Sequence, residues 1–477
     1  MSQKVYIVGS GPNGMASAVF MSEKGYDVTV FEASSTPGGG SRTLDLTGTG
    51  FLNDVCSAVH PTALASPYFK ELGMQEEVDF IIPDVSFAQP LTHNESVYAY
   101  RDIEKTAQHL GKDKQRWLNA FSDFADKPAN MGELMLKPFL DVSKTKVITP
   151  SIRLGLHSMR ESVAQGYFKT TDAQALLSGV VAHANVKLPS LSASFVGFSL
   201  TGLSQSIGWP IVRGGSQQII NFLQKKLEQN GGRVICDAPI VKKSQLEDAD
   251  IVFWDTSVRT FLDIYHDELP SSTAKHLQNF KYGNGVAKLD VTMSEPIPWN
   301  DQQLHEAGTI HIGGKASDIA LAENTVSRNK IPEKPYILAS QPSLFDPTRA
   351  PKGYHTALFY THVPAYYDED PTDLILKRVE EFAPDIRDAI LDSHSINAVQ
   401  LEEYNSNYIG GDISSGANSL GQFFTRPRYS FFPWATAIPH VYMCSSSTYP
   451  GPGVHGMNGY NAAKLAYGKE NGFVKNK

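Results

Sequence analysis

Apolar residues at the start of the chain form a short uninterrupted block, Val5-Tyr6-Ile7-Val8, that stops at Gly9. Such a run predicts a strand buried on both faces of a parallel sheet. Pro12 to Lys24 follows, with Met15, Ala18, Val19 and Met21 at helical spacing and Gly25 placed to end the helix. Asp27 to Glu32 predicts a second strand, which completes one βαβ unit within about thirty residues. The pattern changes from about residue 76 to 205. Ser96 to Tyr100 predicts a strand, and Lys114 to Phe124 and Met131 to Leu140 predict helices. Gly214 to Glu228 predicts a helix with Ile219, Ile220, Leu223 and Leu227 on one side and Gly231-Gly232 at its end. Arg233 to Cys236 and Asp250 to Trp254 predict strands that return the chain to the first region.

Strand patterns dominate from 280 to about 400: Val286 to Met293, Thr309 to Ile312, Tyr336 to Ser340 and His355 to His362. They predict an antiparallel sheet, interrupted by a helix from Asp373 to Phe382. Val441 to Leu465 predicts a strand, a loop of Gly and Pro, and a helix beginning near Val454. The fold class expected is α/β: a doubly wound Rossmann-type domain carrying an inserted α+β substrate domain. Its boundaries are 1–75, 206–270 and 430–477 for the nucleotide domain, and 76–205 and 271–429 for the insertion.

Composition changes this picture little. The 477 residues are 41% hydrophobic and 19% charged, ordinary values for a globular chain with a sizeable core. A net charge of −8 with scattered Lys and Arg argues against a nucleic-acid partner. Cys56, Cys236 and Cys444 form no C-x-x-C pair, so no zinc ribbon or redox dithiol is expected, and no metal. The first residues lack a secretory signal's basic start and long apolar core. No run approaches the roughly 18–20 apolar residues of a membrane span. A cytoplasmic location is expected, with peripheral membrane contact left open. The oligomeric state is not legible.

Three glycine-rich segments carry the chemistry. In Gly9-Ser10-Gly11-Pro12-Asn13-Gly14, the first glycine allows a tight strand-to-helix turn, the second clears the way to a pyrophosphate, and the third lets helix and strand pack closely. The helix N-terminus offers N–H groups to phosphate. Glu32, followed by Ala33, ends the second strand and can take both hydroxyls of an unphosphorylated ribose, as in FAD or NAD. The second segment, Pro37 to Arg42, brings Gly39, Gly40 and Ser41 where the backbone can cross a pyrophosphate again, with Arg42 to neutralise charge. A domain for NAD alone has no need of it. The third segment, Ser446 to Gly459, leads into a helix whose N–H groups would stabilise negative charge on a reduced flavin. Together they point to FAD.

These segments, with Gly50 to Pro61, Gly208 to Ser216, Gly410-Gly411-Asp412 and Arg426-Pro427-Arg428, resemble the phytoene dehydrogenase (carotenoid desaturase) branch of FAD oxidoreductases. That branch sits in the amine-oxidase-like group with a glutathione-reductase-like FAD domain. Where such proteins carry Arg-x-Gly-Gly-Arg, this chain has Thr36 in place of the first Arg. The resemblance implies that Gly9, Gly11, Gly14, Glu32, Gly39, Gly40 and Arg42 bind the adenosine and pyrophosphate. It further implies that Val234 or Ile235 meets the adenine, that Thr256 lies at the cofactor, and that Gly453, Val454, His455 and Met457 lie by the isoalloxazine.

His60, His455 and His183 are the candidates for proton transfer. Hydride transfer to flavin needs orientation and a dry pocket more than a strong base. The expected activity is oxidation of a largely apolar small molecule, with oxygen or a quinone as electron acceptor. Three alternatives stand beside it: a flavin amine oxidase using Tyr449 and Tyr460 as an aromatic cage, a flavin-dependent isomerase, and a non-catalytic flavin-binding protein. Met131 to Leu140 is a candidate tunnel mouth, although a core helix is the simpler reading. Asp412 and Arg426 are expected to shape a turn more than to form a charge pair.

Overall fold

The computed structural model describes residues 2–48, 50–137, 148–164 and 166–472. Numbering elements in chain order, a five-stranded sheet contains β1 (Lys4–Val8), β2 (Asp27–Phe31), β5 (Arg233–Ile235), β6 (Ile251–Trp254) and β12 (Val441–Met443). The spatial order is β12-β6-β1-β2-β5, and every neighbouring pair is parallel. The apolar block in β1 occupies the centre of this sheet. Val5 and Ile7 are fully buried, as a strand covered on both faces requires.

Helix α1 (Pro12–Glu23) follows β1 and is buried on nearly every side, which explains why its apolar residues show no single stripe. It packs against α7 (Gln217–Gln229) and α10 (Met457–Glu470). The contact with α10 is close because Gly459 has no side chain. A Cβ there would lie 2.7 Å from the carbonyl carbon of Asn13 and 2.9 Å from the amide nitrogen of Ser17.

The second sheet has seven strands in the order β11-β7-β10-β9-β8-β3-β4. They are β3 (Val85–Thr92), β4 (Glu95–Tyr100), β7 (Gly285–Met293), β8 (Ala307–Ile312), β9 (Ile337–Ser340), β10 (His355–Val363) and β11 (Ile390–Ile396). This sheet is mixed, a correction to the antiparallel expectation. β8 pairs in parallel with β3, which comes from the earlier insertion. Helices α2 (Lys114–Ala125), α3 (Ala129–Leu136), α4 (Ile148–Ala164), α5 (Thr171–Val181) and α6 (Leu191–Ser204) gather beside it around a separate apolar core. Helix α8 (Thr372–Val379) covers the sheet elsewhere, and α9 (Leu420–Thr425) lies near α6.

Two helix starts differ from expectation for a backbone reason. α7 begins at Gln217, not Gly214, because Gly214 and Gly215 have φ of +74° and +104°. α10 begins at Met457, not near Val454, because Gly456 adopts φ +66° immediately before it. Both conformations are left-handed and stop a helix from extending backwards. The predicted 131–140 helix ends at Leu136, and residues 138–140 lie outside the described residues.

Gly459→Ala should cost about 2–4 kcal/mol, because backbone atoms cannot move aside as a side chain can. Thermal melting checks this. An unchanged Tm would show that the two helices separate without cost.

Candidate functional site

The glycine loop folds against the end of β6. A Cβ at Gly9 would meet the Asp255 backbone, with the carbonyl oxygen at 2.7 Å. Cβ atoms at Gly11 and Gly14 would each lie 2.8 Å from Asp255 Oδ2. The Gly14 amide donates to that oxygen at 2.7 Å. Clearance at Gly11 therefore admits an acid from β6, and Gly39 also closes on it, with a would-be Cβ 3.2 Å from Gly11 Cα. Asp255 was not singled out from the sequence, because its approach is made only in three dimensions. Burial, reinforced by Glu32, raises its carboxyl well above the usual range.

Glu32 is buried and fully engaged. Oε2 accepts from the Ser10 amide at 3.1 Å and from Ser10 Oγ at 2.5 Å, and Oε1 accepts from the Ser34 amide at 2.8 Å. Arg42 is also buried. One guanidinium nitrogen lies 3.5 Å from Glu32, and another donates to Tyr404 Oη at 3.1 Å. Its Nε has no partner, nor do Asn13 Oδ1, Ser41 Oγ and Thr256 Oγ1, all buried. Four orphaned polar atoms from three segments here are unusual for a folded interior. Ala33 is exposed beside Glu32. Val234 packs on the core, while Ile235 is exposed at the sheet edge and its carbonyl accepts the Glu32 amide at 2.9 Å.

From this loop a cavity of about 810 Å³ runs into the insertion. Pro12, Asn13, Gly40 and Ser41 line one end, with Gly453, Val454 and His455 from the closing loop. Leu191, Phe195, Leu200, Trp209, Leu338 and Leu358 line the other. Among the described residues, no Asp, Glu, Lys or Arg lines it. Charged groups stand behind the wall instead. Buried Arg349 donates to Asp54 at 2.8 Å and to Asp346 at 3.0 Å, and Lys288 donates to Asp290 at 2.6 Å and to the Asp54 carbonyl at 2.9 Å.

The three candidate histidines part company here. His183 and His455 line the cavity. His60 does not; its Nε2 lies 2.7 Å from Ser216 Oγ, which itself donates to the Ser57 carbonyl at 2.5 Å. His60 therefore donates and ties the 57–62 wall to the start of α7. His455 lies two residues before α10, not on its first turn, and its Nδ1 accepts from the Met457 amide at 3.1 Å. Met457 is buried and stands behind the wall. Burial holds all three imidazoles low: His60 to about 4, His455 to about 4 and His183 to about 3. For His455 the cause is desolvation, opposed by the backbone carbonyls of Gly451 and Pro452.

Tyr449 lines the cavity, but Tyr460 stacks on Tyr68 at 4.4 Å in the core, so the two do not form a cage. Asp412 accepts from the amides of Gly283, Ser414 and Gly416 at 2.7, 2.8 and 3.0 Å. Arg426 donates to Ser446 O at 3.0 Å and to Asn418 Oδ1 at 2.9 Å. Each pins the 412–418 turn that lines the cavity.

A family model described as an NAD(P)-binding Rossmann-like domain matches residues 7–72. Pyridine nucleotide-disulfide oxidoreductase domain-containing protein 2 of Rattus norvegicus is 26% identical over 230 residues, 44% of this chain and 39% of the relative. The match thus spans well under half of that relative's length. 4,4'-Diaponeurosporene oxygenase of Staphylococcus haemolyticus is 22% identical over 428 residues, 82% of this chain and 80% of that protein. A putrescine oxidase double mutant, from a redesign of cofactor binding, superimposes with a TM-score of 0.61 at 15% identity, covering 98% of each chain. The fold is shared with putrescine oxidase. The expected likeness to a carotenoid-related protein and to amine oxidases is found on both sides.

Two pH effects follow. The unfolded chain protonates these histidines near pH 6.5, while the folded chain keeps His60 and His455 neutral to about 4. Stability should be full above pH 6.5 and fall as pH drops toward 4, by on the order of 3 kcal/mol per histidine; His60→Asn should flatten that fall in denaturant titrations. Asp255 runs the other way. Its raised carboxyl favours the neutral form, so the folded state loses stability as pH climbs above about 3.8. Asp255→Asn should melt higher than the unaltered protein at pH 8, and the gap should close toward pH 4.

Proposed function

We propose that this chain is an FAD-dependent oxidoreductase acting on a largely apolar, uncharged small molecule. The observation that carries this reading is a cavity, lined by no charged side chain among the described residues, that runs from the glycine loop to the apolar wall of α6. A charged substrate would find no counter-ion among the described residues that line it, and burying an unpaired charge is costly.

The residues fit the cofactor. The orphaned Arg42 Nε, Ser41 Oγ, Asn13 Oδ1 and Thr256 Oγ1 are donors and acceptors awaiting a polar group, and Gly39 and Gly40 leave the backbone bare beside them. Gly9, Gly11, Gly14, Glu32 and Arg42 would hold the adenosine and diphosphate side, with Val234 or Ile235 at the adenine. Gly453, Val454 and His455 would flank the flavin ring. When bound, FAD supplies the two-electron acceptor. The chain orients the substrate, excludes water with Leu191, Phe195 and Leu358, and keeps His455 neutral as a hydrogen-bonding group. In this reading the discontinuous nucleotide domain is built from 1–75, 206–270 and 430–477. Oxygen or a quinone would then take the electrons.

The same reading accounts for an exposed apolar edge on α4. Ile152, Leu156 and Met159 share one face by their spacing, and Ile152 and Met159 also line the cavity. No helix among the described residues is long and apolar enough to cross a membrane. This edge offers peripheral contact where an apolar substrate enters. Amine oxidation is the second reading, favoured by the fold shared with putrescine oxidase. It lacks the Tyr449–Tyr460 cage.

The purified protein should be yellow and should bleach anaerobically with uncharged apolar donors and not with amines. Arg42→Met should weaken FAD binding about tenfold or more, since a charge-assisted contact to phosphate is lost. A colourless protein that takes up no FAD would sink the proposal, and bleaching by amines alone would turn it to the second reading.

A further inference from the structure

The insertion half of the cavity contains a pair of histidines that oxidation of a bare hydrocarbon does not require. His183 follows α5 and lines the cavity. Its Nε2 lies 2.9 Å from Nε2 of His311, which projects from β8 and is fully buried. Both imidazoles are kept neutral by desolvation. In a neutral pair one nitrogen must donate and the other accept. His183 Nδ1 has no hydrogen-bond partner among the described residues.

Behind the pair, His311 Nδ1 and Gln89 Oε1 are both buried without partners. Both face the bare Cα of Gly179; a Cβ there would lie 2.7 Å from His311 Nδ1 and would also strike Gln89 Oε1. With a proton on His311 Nδ1, directed to the Gln89 side, His311 Nε2 accepts and His183 Nδ1 is left with a lone pair. With that proton absent, the direction reverses and His183 presents an N–H. The two arrangements carry the same net charge. Thr309 lies two residues before His311, so its side chain is on the same sheet face. It lines the cavity, is 1% exposed, and its Oγ1 has no partner. A threonine hydroxyl can likewise donate or accept.

We propose that His183 and Thr309, with His311 positioning His183, anchor an uncharged oxygen function of the substrate, a hydroxyl or a carbonyl, by hydrogen bonds. This rests on the reading that the cavity receives the substrate, and it narrows the substrate class. A hydrocarbon would leave Thr309 Oγ1 and His183 Nδ1 unsatisfied. An ammonium group would require a nearby carboxylate, which the cavity lining lacks among the described residues. An anchor that reverses direction without changing charge accepts an alcohol and a carbonyl equally well.

The test is equilibrium binding of decane, decanol, decanal and decylamine to the purified full chain loaded with FAD. Decanol and decanal should bind about tenfold more tightly than decane or decylamine, as one or two neutral hydrogen bonds provide. Thr309→Val and His183→Phe should each shrink that preference to about threefold or less while decane binding is unchanged, and the unchanged decane binding also reports an intact fold. Should His183→Phe not fold, Thr309→Val decides. His311→Phe should lose the preference and His311→Gln, which can still donate or accept, should restore it; a merely structural His311 would show no such rescue. Equal binding of decane and decanol by the unaltered protein, or a preference that survives both variants, overturns the anchor alone. Failure of all four ligands to bind overturns the anchor and the substrate-cavity reading together.

Discussion

Everything in this molecule converges on a place where four chain segments meet in close contact. Gly9 and Gly14 let the end of β6 press onto the first loop, Gly39 closes on Gly11, and Gly459 lets α10 lie directly on α1. At Gly9, Gly39 and Gly459 backbone meets backbone, and at Gly11 and Gly14 only the Asp255 carboxylate intervenes. The two glycine loops, the cavity floor and the closing loop are therefore held in register by excluded volume before any polar bond is counted. Close-packed backbone is hard to deform, which makes it a firm base for a site that must hold a ligand in one orientation.

Charge is distributed around this base with evident separation. Arg349, Asp54, Asp346, Lys288, Asp290, Asp412 and Arg426 are all buried, yet none lines the cavity. Each is ion-paired or hydrogen-bonded to backbone or amide groups, the condition under which a buried charge is tolerated. They pin the loops at 52–60 and 412–418, so the wall is stiffened from behind by ions while its inner surface stays neutral.

The first βαβ unit was legible almost to the residue, because a strand covered on both faces must be apolar throughout and its flanking glycines mark the turns. Five strands of the seven-stranded sheet were legible, but not Val85–Thr92 or Ile390–Ile396, and not the pairing. The parallel contact of β8 with β3 joins residues more than two hundred positions apart, and no local pattern encodes it. Helix starts slipped by three residues where Gly214, Gly215 and Gly456 turn left-handed, since glycine in sequence does not declare its φ. At the site, His183 and His455 do reach the cavity, whereas His60 turned inward to Ser216. Asp255 and His311 carried little signal. The former follows an apolar strand as an unremarkable acid, and the latter's one cue is its place two residues after Thr309 on an inward-facing register.

The parallel sheet draws its central strand from residues 4–8 and an edge strand from 441–443, and α1 is covered by α10 at 457–470. At roughly 5–20 residues per second of synthesis, α1 waits on the order of half a minute to a minute and a half for its covering helix to emerge. Through that interval α1 can pack on β1, β2 and α7, but the face that meets α10 has no partner. The nascent chain thus passes through a long window in which α1 is already made while the backbone contact between Asn13 and Gly459 cannot yet form.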